Sequence, residues 1–139
     1  MKQTMKYVWL LWLLLVIPMS VTACSGDQMS ADGYENSSVS HAYAHWKQGD
    51  KSSIPFVFLD VRTQQEYEAG HVPGALHIPV ASLQNRLSEI PKGKRIYVYC
   101  EAGVRAAKAS KMLVRSGFSN IENLPESMGG WRRAGYPIE

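Results

Sequence analysis

Arg95-Ile96-Tyr97-Val98-Tyr99-Cys100-Glu101-Ala102-Gly103-Val104-Arg105 is the stretch on which the fold turns. Ile96 to Tyr99 alternate β-branched and aromatic residues behind the turn Lys92-Gly93-Lys94, the pattern of a strand. From Gly103 onward the period changes. Ala106, Ala109, Met112 and Leu113 fall on one face of a helix over residues 103–116, and Gly117 stops it. Cys100 therefore sits where a strand ends and a helix is about to begin. At such a place backbone N–H groups converge and the helix dipole adds positive potential. That setting favours a thiolate over a thiol, and the same amides would hold an anionic sulfur bound to it. Gly103 lets the backbone approach closely. Arg105 brings a fixed charge and a planar donor fork suited to an oxyanion.

Working outward, residues 56–61 (Phe-Val-Phe-Leu-Asp-Val) read as a second buried strand. Thr63 can cap a short helix over residues 64–69, closed by Gly70. Residues 75–78 form a short strand between Pro73-Gly74 and Pro79. Leu83, Leu87 and Ile90 have the spacing of an amphipathic helix over residues 82–90. Residues 121–124 read as a last strand and residues 128–134 as a last helix, ended by Gly135 and Pro137. Upstream, Ser40 can cap a helix over residues 41–48, stopped by Gly49. Alternating strands and helices predict an α/β fold: a central, mainly parallel sheet of about five strands with helices on both faces. Sites in such sheets gather at the carboxyl ends of strands, where Cys100 lies.

The N-terminus has a different character. Lys2 and Lys6 precede a continuous apolar run over residues 7–19. That is short for a membrane span, which needs about 20 residues, and suits a signal-peptide core. Val21-Thr22-Ala23-Cys24 follows and resembles the bacterial lipobox. The resemblance implies a signal peptide over residues 1–23, diacylglyceryl on the Cys24 thiol, and Cys24 as the mature N-terminus. It also implies a lipid-anchored protein of the cell envelope. Ser25 in place of Asp after the cysteine points to the periplasmic face of the outer membrane. Residues 24–38 are polar, small and without periodicity, and read as a flexible tether. The chain has two cysteines, so with Cys24 lipidated Cys100 is the one free thiol. Removing residues 1–23 takes the Lys and Arg count from 15 to 13 against 12 acids, a net of +1. A nearly neutral domain without a clustered basic face gives no footprint for nucleic acid.

Residues 39–138 look like a single-domain rhodanese. The resemblance rests on Leu59-Asp60-Val61-Arg62, Glu66-Tyr67, Gly70-His71-Val72-Pro73-Gly74-Ala75 and His77-Ile78-Pro79. It continues through Ile96 to Cys100, Gly103-Val104-Arg105, Gly117-Phe118, and Trp131 with Ala134-Gly135-Tyr136-Pro137. It implies a rhodanese-like fold and a sulfurtransferase. Cys100 would take a sulfane sulfur from thiosulfate or a related donor as a persulfide, then pass it to a thiol or to cyanide. Such covalent catalysis splits one transfer into two displacements. No metal or organic cofactor is implied. The loop Glu101, Ala102, Gly103, Val104 and Arg105 would cradle the sulfur, with Asp60 and Arg62 supporting it through an ion pair. The other reading is a non-turnover sulfur carrier or protein-binding module. Similar-looking phosphatases place arginine six positions after the cysteine. Here Arg105 comes at five and Ala106 at six, a tighter loop that fits one sulfur better than a phosphoryl group.

Two departures from the resemblance stand out. Glu101 puts a carboxylate beside the nucleophile, where it would repel an anionic donor. Glu126-Ser127 stands where relatives often carry two glycines, and its distance along the chain from Cys100 gives it a structural role. His71 is read as a turn residue, Tyr97 and Tyr99 as strand residues and Trp131 as a core aromatic. His41, His45 and His77 show no metal-ligand spacing with either cysteine.

Overall fold

A computed structural model describes residues 28–139. The expected signal segment and Cys24 lie outside the described residues. Strands β1 (Gln28–Met29) and β2 (Glu35–Asn36) lead into helix α1 (Val39–Gln48). There follow β3 (Phe56–Asp60), α2 (Gln64–Glu68), β4 (Leu76–His77), β5 (Arg95–Tyr99), α3 (Val104–Arg115), β6 (Ile121–Asn123) and α4 (Ser127–Arg133). The sheet order is β1-β2-β6-β5-β3-β4. Strands β2 to β6 are parallel, and β1 is an antiparallel edge.

Strand alternation explains the two layers. On β5, Ile96, Val98 and the following Cys100 face one side and pack with Leu59, Ile121 and the Ala106, Ala109 and Leu113 stripe of α3. Tyr97 and Tyr99 face the other side, with Phe58, Leu124, and Val39, Ala42, Met128 and Trp131 of α1 and α4. Trp131 is the largest fully buried side chain among the described residues. Its ring stands edge-on to Phe58 and Tyr43, both at 5.6 Å, and its indole N–H donates to the Pro137 carbonyl at 2.7 Å. Burying a side chain of this class stabilises the fold by roughly 1.5–3 kcal/mol.

Three expectations need correction. Residues 82–90 do not form one helix. They make two 3₁₀ turns, Leu83–Asn85 and Leu87–Glu89, separated by Arg86 at φ −121°, ψ 17°. Leu83 and Ile90 are nonetheless buried, so the apolar spacing is satisfied without a continuous helix. Nor are residues 28–38 a tether. They form a hairpin whose Ser30 N–H donates to Tyr34 O at 2.7 Å and whose continuation, Ser37 N–H, reaches Asn123 O at 2.9 Å. Tyr34 is buried, and Lys111 of α3 pairs with Asp32 at 2.8 Å. Composition made this stretch look like linker, because two-residue strands carry almost no periodic signal. The cap of α1 also lies two residues earlier than expected. Ser38 accepts from His41 N–H at 3.1 Å, and Glu126 takes the Val39 N–H at 2.9 Å.

Candidate active site

Strand β5 delivers Cys100 to the carboxyl end of the sheet, and α3 begins four residues later. Gly103 turns the chain between them at φ +94°, a left-handed conformation that favours glycine. A Cβ there would run into the carbonyl oxygen of Pro125. This turn aims the Gly103 N–H at Cys100 Sγ, 3.1 Å away. Among the described residues it is the one backbone amide that donates to the sulfur, where a converging set was expected. Cys100 is 1% exposed and packs within the α3-side core.

The segment opening α4 grips the same loop. Met128 N–H donates to the Cys100 carbonyl at 2.9 Å and Gly129 N–H to the Glu101 carbonyl at 3.0 Å. Ser127 Oγ accepts the Cys100 N–H at 3.2 Å and lies 3.8 Å from Sγ. Ser127, expected to be structural and remote along the chain, thus holds the main chain of the cysteine itself. Twenty-seven residues of chain fold it back onto the cysteine. Its appearance in place of a flexible residue was the signal in the sequence, read there without its spatial meaning.

Charged groups surround the loop. Arg62 and Asp60 form the expected ion pair at 2.7 Å, with both side chains fully buried. Arg62 also donates to Gly70 O at 2.8 Å and to Glu101 at 3.2 Å. Burial works against the guanidinium charge, but the hydrogen bond and charge of Asp60 outweigh it and raise the Arg62 pKa. Glu101 bridges Arg62 to Arg132 of α4. Its charge is thus divided between two guanidiniums instead of standing uncompensated beside the sulfur. Deeper in the sheet, burial raises the pKa of Tyr99, whose hydroxyl accepts the Val72 N–H at 3.1 Å.

The donor fork of Arg105, expected to suit an oxyanion, is engaged here by a carboxylate of the protein itself. Both terminal nitrogens grip the Glu66 carboxylate at 2.7 Å, tying α3 to the first turn of α2. Glu66 simultaneously closes the capping box with Thr63. Its hydrogen bond from Arg105 holds the carboxyl well below the usual range, and the same bond raises the Arg105 pKa, with the Cys100 sulfur adding to that rise. Glu66 carries part of the family resemblance in the sequence, but nothing local there points to this task. Of the other loop residues, Ala102 and Val104 are exposed.

The singled-out histidines meet main chain, a ring or a hydroxyl. His71 stacks on Tyr67 and its Nδ1 meets Tyr67 O at 3.0 Å. His77 Nε2 lies 3.0 Å from Arg62 O, and His45 Nδ1 lies 2.6 Å from the Tyr97 hydroxyl. Among the described residues no three His, Cys, Asp or Glu side chains gather to hold a metal ion.

A rhodanese-like domain is matched over residues 38–134. A protein named sulfurtransferase from Allochromatium vinosum is 35% identical over 82 residues, 59% of this chain and 77% of that one. A putative sulfur carrier protein, YrkF of Bacillus subtilis, is 34% identical over 86 residues, 62% of this chain but 46% of its own length. Among solved structures, the rhodanese-related protein of Thermoplasma volcanium superposes with a TM-score of 0.67 at 25% identity, covering 76% of this chain and 98% of that one. The sheet of five parallel strands with helices on both faces, the cysteine at the end of β5 and these likenesses agree, and the chain belongs to the rhodanese-like domain family.

Proposed function

We propose that the chain is a thiosulfate-type sulfurtransferase in which Cys100 carries the sulfur. The observation that carries this reading is the Gly103 N–H directed at Cys100 Sγ at a strand's carboxyl end. In the first displacement the Cys100 thiolate, its proton given up to solvent, attacks the outer sulfur of thiosulfate. The donor's S–S bond breaks, sulfite leaves with the electron pair, and a Cys100 persulfide forms. In the second, a thiophile such as cyanide attacks the terminal sulfur and departs as thiocyanate. The Cys100–sulfur bonding pair returns to Cys100 as thiolate. Division of the Glu101 charge between Arg62 and Arg132 supports an anionic donor, because it lowers the repulsion that a lone carboxylate would exert.

The full chain, mixed with thiosulfate and cyanide, is expected to make thiocyanate, and Cys100→Ser to make none. Activity retained in Cys100→Ser overturns the reading. The shielding of Cys100 favours a second reading, that of a sulfur carrier that does not turn over. It is supported if wild type makes no thiocyanate while mass spectrometry finds one added sulfur atom on Cys100.

We further propose lipid attachment at Cys24 and residence at the periplasmic face of the outer membrane. Two or three acyl chains would hold the protein stably where one would not. Cys24→Ser is expected to shift the protein to the soluble fraction or leave it unprocessed. Unchanged fractionation and processing would count against attachment.

A further inference from the structure

Ser127 is held in a conformation that costs something to hold. Its φ is +49°, in the left-handed region that a side chain disfavours, yet it is 1% exposed and well surrounded. Its hydroxyl has one hydrogen and two lone pairs. The hydrogen goes to Leu124 O at 2.7 Å, and one lone pair takes the Cys100 N–H at 3.2 Å. Cys100 Sγ lies 3.8 Å from the same oxygen. While Cys100 is a neutral thiol, its S–H can fill the second lone pair. Once that proton leaves, sulfur and oxygen face each other with acceptors only, unless the hydroxyl hydrogen turns.

Turning it leaves nothing orphaned. Leu124 O also accepts the Ser127 backbone N–H at 3.1 Å, so it keeps a partner when the hydroxyl lets go. A hydrogen bond to an anion is roughly twice as strong as a neutral one, so the rotation is favoured. We propose that Ser127 is a positioning residue that holds Cys100 through its N–H and turns its hydroxyl onto the sulfur when the sulfur becomes negative. The anionic sulfur, thiolate or persulfide, then has Gly103 N–H and Ser127 O–H as donors, with the Arg105 guanidinium adding its charge from α3. This deepens the reading of Cys100 as the reactive group and rests on it. The hydroxyl explains why a side chain occupies a backbone position where glycine would be less strained.

The test compares Ser127→Gly with Ser127→Ala in the full chain. Both remove the hydroxyl. Glycine relieves the left-handed strain, while alanine keeps it. The rate of Cys100 alkylation by iodoacetamide is followed across pH on the tryptic peptide spanning residues 96–105, alongside denaturant stability. Both variants are expected to shift the pH profile to the alkaline side together. At neutral pH the rate falls about fivefold, the weight of a charge-assisted bond less the neutral bond exchanged for it. The alkaline plateau stays that of wild type. A wild-type profile in both variants overturns the proposal. So does a shift that follows stability, present in alanine and absent in glycine. Alkylation needs no sulfur donor, so a chain without thiocyanate turnover still reports on Ser127. Turnover with an unshifted profile removes Ser127 alone.

Discussion

Replacing Gly103 by alanine, beside a control at Gly117, separates two costs that a turn glycine can carry. Gly103 and Gly117 flank α3 with φ of +94° and +84°. Adding a Cβ to either forces a side chain into left-handed backbone, about 1–2 kcal/mol. At Gly117 nothing lies within 4 Å of that Cβ, so the backbone term is the whole cost. At Gly103 the Cβ collides with the Pro125 carbonyl oxygen and meets the Pro125 carbonyl carbon at 3.2 Å and Cα at 3.3 Å. Main chain cannot swing aside as a flexible side chain can, so overpacking adds about 1–3 kcal/mol. Gly117→Ala should therefore lose about 1–2 kcal/mol, and Gly103→Ala about 2–5 kcal/mol, or at least ~10 °C in melting temperature. Urea unfolding of the full chain, followed by tryptophan fluorescence, measures both. A second readout is specific to the site. Displacing Gly103 removes its N–H from Cys100 Sγ, so Cys100 alkylation at neutral pH should slow in Gly103→Ala and not in Gly117→Ala. Equal destabilisation by the two substitutions would refute the close approach to Pro125.

Three other expectations follow from the charges around the loop. Glu66→Gln should cost about 1 kcal/mol at neutral pH, because the Arg105 and Glu66 side chains are 34% and 30% exposed and solvent screens the pair. Arg105 holds the Glu66 carboxyl below its usual range, so the pair's full contribution stands above the ordinary glutamate value near 4 and is lost as pH falls further; the gap between variant and wild type must narrow there, and a constant gap in unfolding experiments argues against it. Arg62→Met leaves Asp60 buried without its counter-charge and should cost about 3–5 kcal/mol by urea unfolding, with a loss below ~1 kcal/mol being incompatible with the buried pair. Glu101→Gln removes the carboxylate beside the loop and takes from Arg132 its partner, so KM for thiosulfate should fall about threefold at low salt with kcat unchanged, an advantage that vanishes as salt screens it. An unchanged KM would place Glu101 outside the donor's path.

The sheet and the strand-to-helix placement of Cys100 were readable because long apolar strands and a 3.6-period helix write strong local patterns. Phe56–Asp60 and Arg95–Tyr99 form the central parallel pair in register, and α3 runs within a residue of its expected ends. The Asp60–Arg62 pair was readable for a similar reason, since two residues apart across a strand end they meet without help from the rest of the fold. What escaped was set by distant contacts. The hairpin over residues 28–36 is decided by pairing with β6, and residues 82–90 keep helical spacing while Arg86 breaks the helix. Arg105 was read as facing substrate because its partner, Glu66, lies 39 residues away and on another element. Ser127 reaches Cys100 only because α4 returns across the end of β5, which no local pattern announces.

The antiparallel edge strand sets where the described chain enters the sheet. Gln28 pairs with Asn36, Asn36 with Asn123, and Asn123 with Val98, so the chain enters the sheet level with Val98, two residues before Cys100. Three strand spacings, about 14 Å, separate that entry point from the β5 column. With the acylated Cys24 proposed above, three residues lie between it and Gln28, and the four chain steps that join the two reach at most about 14 Å. The sulfur-bearing rim would then look down onto the bilayer surface instead of out into the aqueous space, and the substrates it meets would be those that crowd the lipid headgroups.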